Sequence, residues 1–200
     1  MTGARVTFVK GVVRLSDLPR AHIPEIAFSG RSNVGKSSLL NRLAGVRALA
    51  RVSRTPGKTQ EINFYSAADR FHLVDLPGYG YARVPDSAKK SWGPLVEGYL
   101  EDRKQLAAVI QLLDLRHGPT ELDRAMIEWL EVKKRPILLV ATKQDKLTRQ
   151  ERKAALDALA GEFERRGAAV VGVSSLRNEG IEQVWKWIEE HCRSWRKRNP

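Results

Sequence analysis

Gly30, Arg31, Ser32, Asn33, Val34, Gly35, Lys36 and Ser37 stand in the order G-x-x-x-x-G-K-[ST], with every fixed position matched. The glycines let main-chain N–H groups turn inward around phosphate oxygens. A helix that starts here adds the positive end of its dipole. Lys36 is placed to neutralise β- and γ-phosphates, and the Ser37 hydroxyl to ligate Mg²⁺. The plainer alternative is a glycine loop that caps a helix. The motif alone does not choose ATP over GTP.

Three stretches further on narrow the choice. Asp75-Leu76-Pro77-Gly78 is a D-x-x-G. A carboxylate there can hold Mg²⁺ through water, and the Gly78 N–H can bond a γ-phosphate and sense its loss; alone, an Asp beside Pro-Gly is a common turn. Thr142-Lys143-Gln144-Asp145 offers an acceptor carboxylate for the paired N1–H and N2–H₂ donors of guanine, which adenine lacks. The Lys143 stem can cover the base face. Val173-Ser174-Ser175 can bring main-chain donors to the guanine O6, although Ser-Ser before a helix is also a capping segment.

Between the cradle and Asp75 lies Thr55-Pro56-Gly57-Lys58-Thr59-Gln60-Glu61. A threonine on a loop can add a second hydroxyl to Mg²⁺ while the γ-phosphate is present, which makes the loop a switch. Thr59, presented after the Gly57 bend, suits this better than Thr55, which precedes a proline. Lys36, Thr59 and Gly78 are the expected catalytic groups, with Ser37 and Thr59 on the metal.

These motifs need strand ends and helix starts to hold them. Apolar runs at Arg5–Val9 (with Val12–Leu15 as an extension), Glu25–Ser29, Glu61–Tyr65, Arg70–Val74, Leu106–Leu113, Pro136–Ala141 and Ala168–Val173 read as strands. Helical patterns cover Ser37–Leu43, Glu121–Lys133, Arg149–Arg165 and Gly180–Trp195. Strands alternating with helices imply a three-layer α/β domain. The expected sheet is mostly parallel and six-stranded, with one antiparallel edge strand from the hairpin at Ser66–Asp69 and helices on both faces. The expected organisation is one domain over 1–200 with a basic tail at about 193–200. Gly45–Gln60 and Pro77–Ser91 are poorly patterned.

Among 200 residues, 35 Lys+Arg against 23 Asp+Glu leave a formal net charge of +12, which favours a polyanionic partner. Arg31, Lys36, Arg42, Arg47, Arg51, Arg54 and Lys58 occupy Ile26–Gln60 without an acid. They suggest a positive face for RNA. Arg193, Arg196, Lys197 and Arg198 flank Trp195, an aromatic that could stack on RNA; a frayed terminus is the alternative. Trp185 groups with Ile181, Val184 and Ile188 as core. The one cysteine, Cys192, fits a reducing compartment. No apolar run approaches the ~20 residues of a membrane span, and no signal-peptide pattern opens the chain; a cytoplasmic monomer is expected.

"GRSNVGKSSLLN", "SRTPGKTQEINFY", "LVDLPGYGYA", "LLDLRHGPTELD" and "TKQDKL" together resemble the EngB family of bacterial GTPases, from about Arg5 to the last helix. "DLPGYGYA" and "RHGPTELD" discriminate it, since many families share the cradle. The resemblance implies a P-loop GTPase domain that binds GTP and GDP with Mg²⁺. It further implies assembly of the large ribosomal subunit and normal cell division and septation. Tyr79 stands where many GTPases have a water-orienting glutamine, so slow turnover is expected, with a partner's residue, an RNA surface or a monovalent cation completing the site. In related GTPases an asparagine at the Asn33 position helps hold K⁺; a turn-forming Asn is the alternative. Thr142 replaces the commoner asparagine of N-K-x-D, so its short hydroxyl is expected to tie the base loop less firmly to the cradle. Readings of another class are a P-loop kinase or ATPase and a GTP-dependent scaffold for division proteins.

Overall fold

The structure is a computed structural model that describes residues 6–46, 49, 61–80 and 93–200. Its strands are β1 (Val6–Val12), β2 (Glu25–Gly30), β3 (Ile62–Ala67), β4 (Phe71–Asp75), β5 (Leu106–Asp114), β6 (Ile137–Thr142) and β7 (Ala169–Gly172). Its helices are α1 (Lys36–Ala44), α2 (Pro94–Asp102), α3 (Glu121–Val132), α4 (Arg149–Phe163) and α5 (Ile181–Arg198). The strands form one sheet in the order β1-β3-β4-β2-β5-β6-β7.

β2, β5 and β6 are buried along their whole length, as parallel strands covered on both faces must be. Successive side chains alternate between the faces. Ile26 and Phe28 of β2 join Leu39 and Leu40 of α1 and Val184, Trp185 and Ile188 of α5. Ala27, between them, joins Tyr99 and Leu100 of α2 and Met126 and Ile127 of α3 on the other side. Each large apolar side chain buried this way contributes about 1.5–3 kcal/mol relative to exposure.

Two details correct the expected architecture. The sheet has seven strands rather than six, because β1 pairs antiparallel with β3. β3, antiparallel to both β1 and β4, is therefore second from the edge. The hairpin itself forms as expected. Ala68 and Asp69 take positive φ of 49° and 55°, a turn whose twist matches the flanking strands. Ser66 Oγ donates to the Asp69 carboxylate at 2.8 Å and accepts its N–H at 3.1 Å. α2 was not among the expected helices; its signal is Gly93-Pro94, with the proline at the first helical position.

α5 runs beyond Trp195 to Arg198. Trp195 is buried, and its Nε1–H donates to the Lys104 carbonyl at 3.0 Å. It therefore presents no face for stacking on RNA. Ile181, Val184, Trp185, Ile188, Cys192 and Trp195 make one helical stripe on the core.

β2 lies between β4 and β5 and is parallel to both, so the carboxyl ends of β2, β4, β5, β6 and β7 share one edge. The chain leaves β2 for one side of the sheet and returns on the other. Ligands of open α/β sheets bind at such switch points. The motif-bearing loops all follow those strand ends.

Candidate nucleotide site

Gly30 closes β2, and α1 opens at Lys36. Gly35 between them sits at φ +110°, in the left-handed region that favours glycine. No side chain caps α1, so its first N–H groups remain to meet an anion. Asn33 also has positive φ, 63°, a conformation that asparagine tolerates better than most residues. Lys36 Nζ forms an ion pair with Asp75 Oδ1 at the end of β4. Each side chain is only 11% exposed.

The Asp75–Gly78 loop is tied to the cradle. The Leu76 N–H donates to the Phe28 carbonyl at 3.1 Å, and the Ser32 N–H to the Tyr79 carbonyl at 3.0 Å. Gly78 packs so close that a Cβ there would stand 3.1 Å from Ser32 N. Pro77 lies between these anchored neighbours. The Arg31 side chain turns away, with Nε 3.3 Å from Asp123 Oδ2.

At the other end of the edge, Thr142 closes β6. Its Oγ1 lies 2.6 Å from the Val34 carbonyl and 3.0 Å from that of Leu113. This corrects the expectation that a threonine would hold the base loop loosely: the short hydroxyl reaches the cradle directly. Lys143, at φ +61°, extends Nζ to the Asn33 carbonyl (2.7 Å) and to Asp114 Oδ2 (2.9 Å). Asp145 accepts from Ser174 Oγ at 2.7 Å, and Ser174 Oγ accepts the Arg177 N–H at 3.1 Å. Ser174 thus acts on Asp145 through its side chain. Ser175 presents its carbonyl to Arg42 Nε at 2.8 Å. Val173 donates its N–H to Ala141 at 2.7 Å, which sets the height of this loop. Gln144 is turned inward, with Nε2 donating to Glu179 Oε2 at 2.9 Å, so its side chain is spent on structure.

Asp114 was missed by sequence reasoning. It ends β5, is buried, and receives Arg116 Nε at 2.9 Å and Nη2 at 2.7 Å besides Lys143. Burial alone would raise its pKa; the Arg116 and Lys143 hydrogen bonds outweigh that and hold the carboxyl far below the usual carboxylate range. The sequence clue was an acid ending a nine-residue apolar strand.

Some expected groups lie elsewhere. Glu61 flanks β3 at the same edge, two strands from β2. Its carboxyl lies over Gly11, where a Cβ would come within 2.6 Å of Oε2. Gly57, Lys58, Thr59 and Gln60 lie outside the described residues. Of the basic cluster, Arg31, Lys36 and Arg42 have the partners named above, that of Arg42 at the surface. Arg47, Arg51, Arg54 and Lys58 lie outside the described residues.

Comparison with known proteins agrees with this geometry. A family model described as "50S ribosome-binding GTPase" matches residues 25–143. A probable GTP-binding protein EngB of Trichlorobacter lovleyi is 44% identical over 189 residues, covering 93% of this chain and 94% of that protein. Its counterpart in Halothermothrix orenii is 46% identical over 190 residues, covering 90% and 92%. The crystal structure of a probable GTP-binding protein EngB superposes with TM-score 0.69 at 24% identity, covering 85% of this chain and 99% of that one. A variant of Era from Aquifex aeolicus bound to GDP and AlF4⁻ gives TM-score 0.65 at 20% identity, covering 84% and 56%. The two structures speak to the fold alone.

Proposed function

Because this chain belongs to the EngB family of GTP-binding proteins and is a GTP-hydrolysing enzyme, we propose that it is a slow GTP/GDP switch that helps assemble the large ribosomal subunit. In the same reading the protein is needed for normal cell division and septation. Family membership sets aside the kinase or ATPase reading. The observation that carries the site assignment is the pair of bonds joining base loop to phosphate loop, Thr142 Oγ1 to Val34 and Lys143 Nζ to Asn33. One rigid edge then grips both ends of a guanine nucleotide.

In this reading the main-chain amides of Asn33, Gly35, Lys36 and Ser37, at the turn into α1, hold the phosphates, and Lys36 neutralises the β- and γ-oxygens. Water attacks the γ-phosphorus as the bond to the β–γ bridging oxygen breaks, leaving GDP and phosphate. Gly78 donates its N–H to the γ-phosphate. Asp145 accepts the guanine N1–H and N2–H₂, the Lys143 stem lies on the base, and the Val173–Ser175 main chain meets O6. The oxygen donors here suit Mg²⁺: the Ser37 hydroxyl and the Asp75 carboxylate would hold it, with Thr59 completing the set in our reading. When bound, Mg²⁺ neutralises charge on the leaving diphosphate.

Slow turnover follows from Tyr79. Its hydroxyl donates to Asp123 Oδ1 at 2.7 Å, inside the protein, so the residue after D-x-x-G does not orient water. We assign part of the missing charge to K⁺ held near Asn33. Turnover is expected to be about tenfold higher in KCl than in NaCl, ~1.4 kcal/mol of barrier. Equal rates in the two salts remove the cation from the mechanism.

The ribosomal partner is supported by the net charge of +12 and by the description of the matching family model. No helix among the described residues is long and apolar enough to cross a membrane; we propose a cytoplasmic monomer. The protein is expected to pellet with purified large ribosomal subunits in the presence of a non-hydrolysable GTP analogue. Pelleting should weaken with GDP and with rising salt. Failure to pellet in either nucleotide state would favour a scaffold for division proteins over an assembly factor.

A further inference from the structure

"DLPGYGYA" and "RHGPTELD" are the stretches that carry the EngB resemblance, and in the fold Tyr79 of the first touches Asp123 of the second. Asp123, the third residue of α3, divides its carboxylate between Oδ2, which also lies 3.3 Å from Arg31 Nε, and Oδ1. Oδ2 completes a capping box, accepting from Thr120 N–H at 2.9 Å and Thr120 Oγ1 at 2.7 Å. Oδ1 is not needed for the cap and accepts the Tyr79 hydroxyl at 2.7 Å. That hydroxyl in turn accepts from Gln111 Nε2 at 2.6 Å. Burial first, then the Asp123 carboxylate, push the Tyr79 phenol far above its usual pKa, so it stays protonated and donates.

Gln111 makes the arrangement more than incidental. It lies fully buried within the otherwise largely apolar β5, Leu-Ala-Ala-Val-Ile-Gln-Leu-Leu-Asp. Its Oε1 has no hydrogen-bond partner among the described residues, a burden that an apolar residue would avoid. Its Nε2 donates to the adjacent Leu112 carbonyl at 3.2 Å and, at a shorter distance, to Tyr79, whose hydroxyl proton is already committed to Asp123. Tyr79 is anchored at its other end too: its carbonyl accepts the Ser32 N–H, and it bridges Arg31 in a short parallel ladder. Gly78 is wedged between that anchor and Ser32.

We propose that Asp123 is a positioning residue for GTP hydrolysis. Acting through Tyr79, and with Gln111 bracing the phenol, it sets where the Gly78 N–H stands relative to the γ-phosphate. The side chain that occupies the place of a water-orienting glutamine is a strut between the cradle, β5 and α3. The proposal rests on the GTPase reading of the site. GDP lacks the γ-phosphate and has no use for the Gly78 N–H, so the strut acts on GTP alone.

The test compares affinities of the full chain for GDP and a non-hydrolysable GTP analogue, single-turnover hydrolysis, and thermal unfolding. Tyr79→Phe keeps the ring and removes the hydroxyl. It is expected to hold GDP affinity within about twofold, to weaken the GTP analogue about tenfold, and to slow hydrolysis. Gln111→Leu should shift the same ratio in the same direction, less strongly. Thr120→Ala removes the cap partner but spares Oδ1; it should lower the unfolding temperature without moving the ratio. A wild-type ratio in both Tyr79→Phe and Gln111→Leu, or equal losses for the two nucleotides, would overturn the proposal. Lack of guanine-nucleotide binding by the wild type would overturn the site, and the strut with it.

Discussion

Asp145→Asn is expected to lower affinity for GTP and GDP roughly a hundredfold or more, because a site built on paired hydrogen bonds strongly rejects a ligand that no longer matches it. In the proposed reading the carboxylate accepts from two guanine donors, whereas an asparagine amide offers one acceptor and one donor group. Ser174 adds a direction. Its hydroxyl donates to Asp145 Oδ1 at 2.7 Å, so the oxygen of an asparagine is drawn to Ser174 and its NH₂ is left for the base. Xanthine carries a carbonyl where guanine carries an amine, and xanthosine nucleotides should regain most of the lost affinity. Calorimetric titration with GTP, GDP and xanthosine diphosphate measures both effects. Unchanged GTP affinity in the variant would sink the assignment of Asp145.

Lys36→Ala carries the second large effect, and it has two parts. In the proposed reading the lysine is the cradle's own point charge for the phosphates, and its loss should weaken GTP by about a hundredfold or more, with a smaller loss for GDP. It is also the partner of Asp75, and both side chains are nearly enclosed. Removing one member of such a pair leaves a charge without compensation and costs up to about 3 kcal/mol. The unliganded variant should therefore unfold at lower denaturant. Adding Asp75→Ala should return much of that stability while leaving nucleotide binding lost, which separates the two parts. Normal GTP binding by Lys36→Ala would refute the phosphate cradle.

Several errors of sequence reading share one cause. Thr142 was expected to hold its loop weakly because a hydroxyl is shorter than an amide. In the fold the Val34 carbonyl, 108 residues away in sequence, lies within its reach. Trp195 was grouped with its basic neighbours, which are adjacent in sequence, rather than with Cys192 and Ile188, which share its helix face. The helical spacing was there to be read, and the charge run obscured it. α2 is short, and its Val96, Tyr99 and Leu100 acquire meaning only beside α3 and the sheet.

The sequence by itself determined the local chemistry: a glycine-rich loop ending in Lys36 and Ser37, a D-x-x-G, an acceptor carboxylate at Asp145, and strands and helices of the right period to carry them. Such features depend on residues close in the chain, where main-chain geometry and side-chain spacing act directly. Only the tertiary structure decided that β1 lies outside β3, that Asp114 holds Lys143, and that Asp123 and Gln111 hold Tyr79. These contacts join residues 29, 44 and 32 positions apart. The order in which strands pair brings them together, and no periodicity along the chain encodes that order.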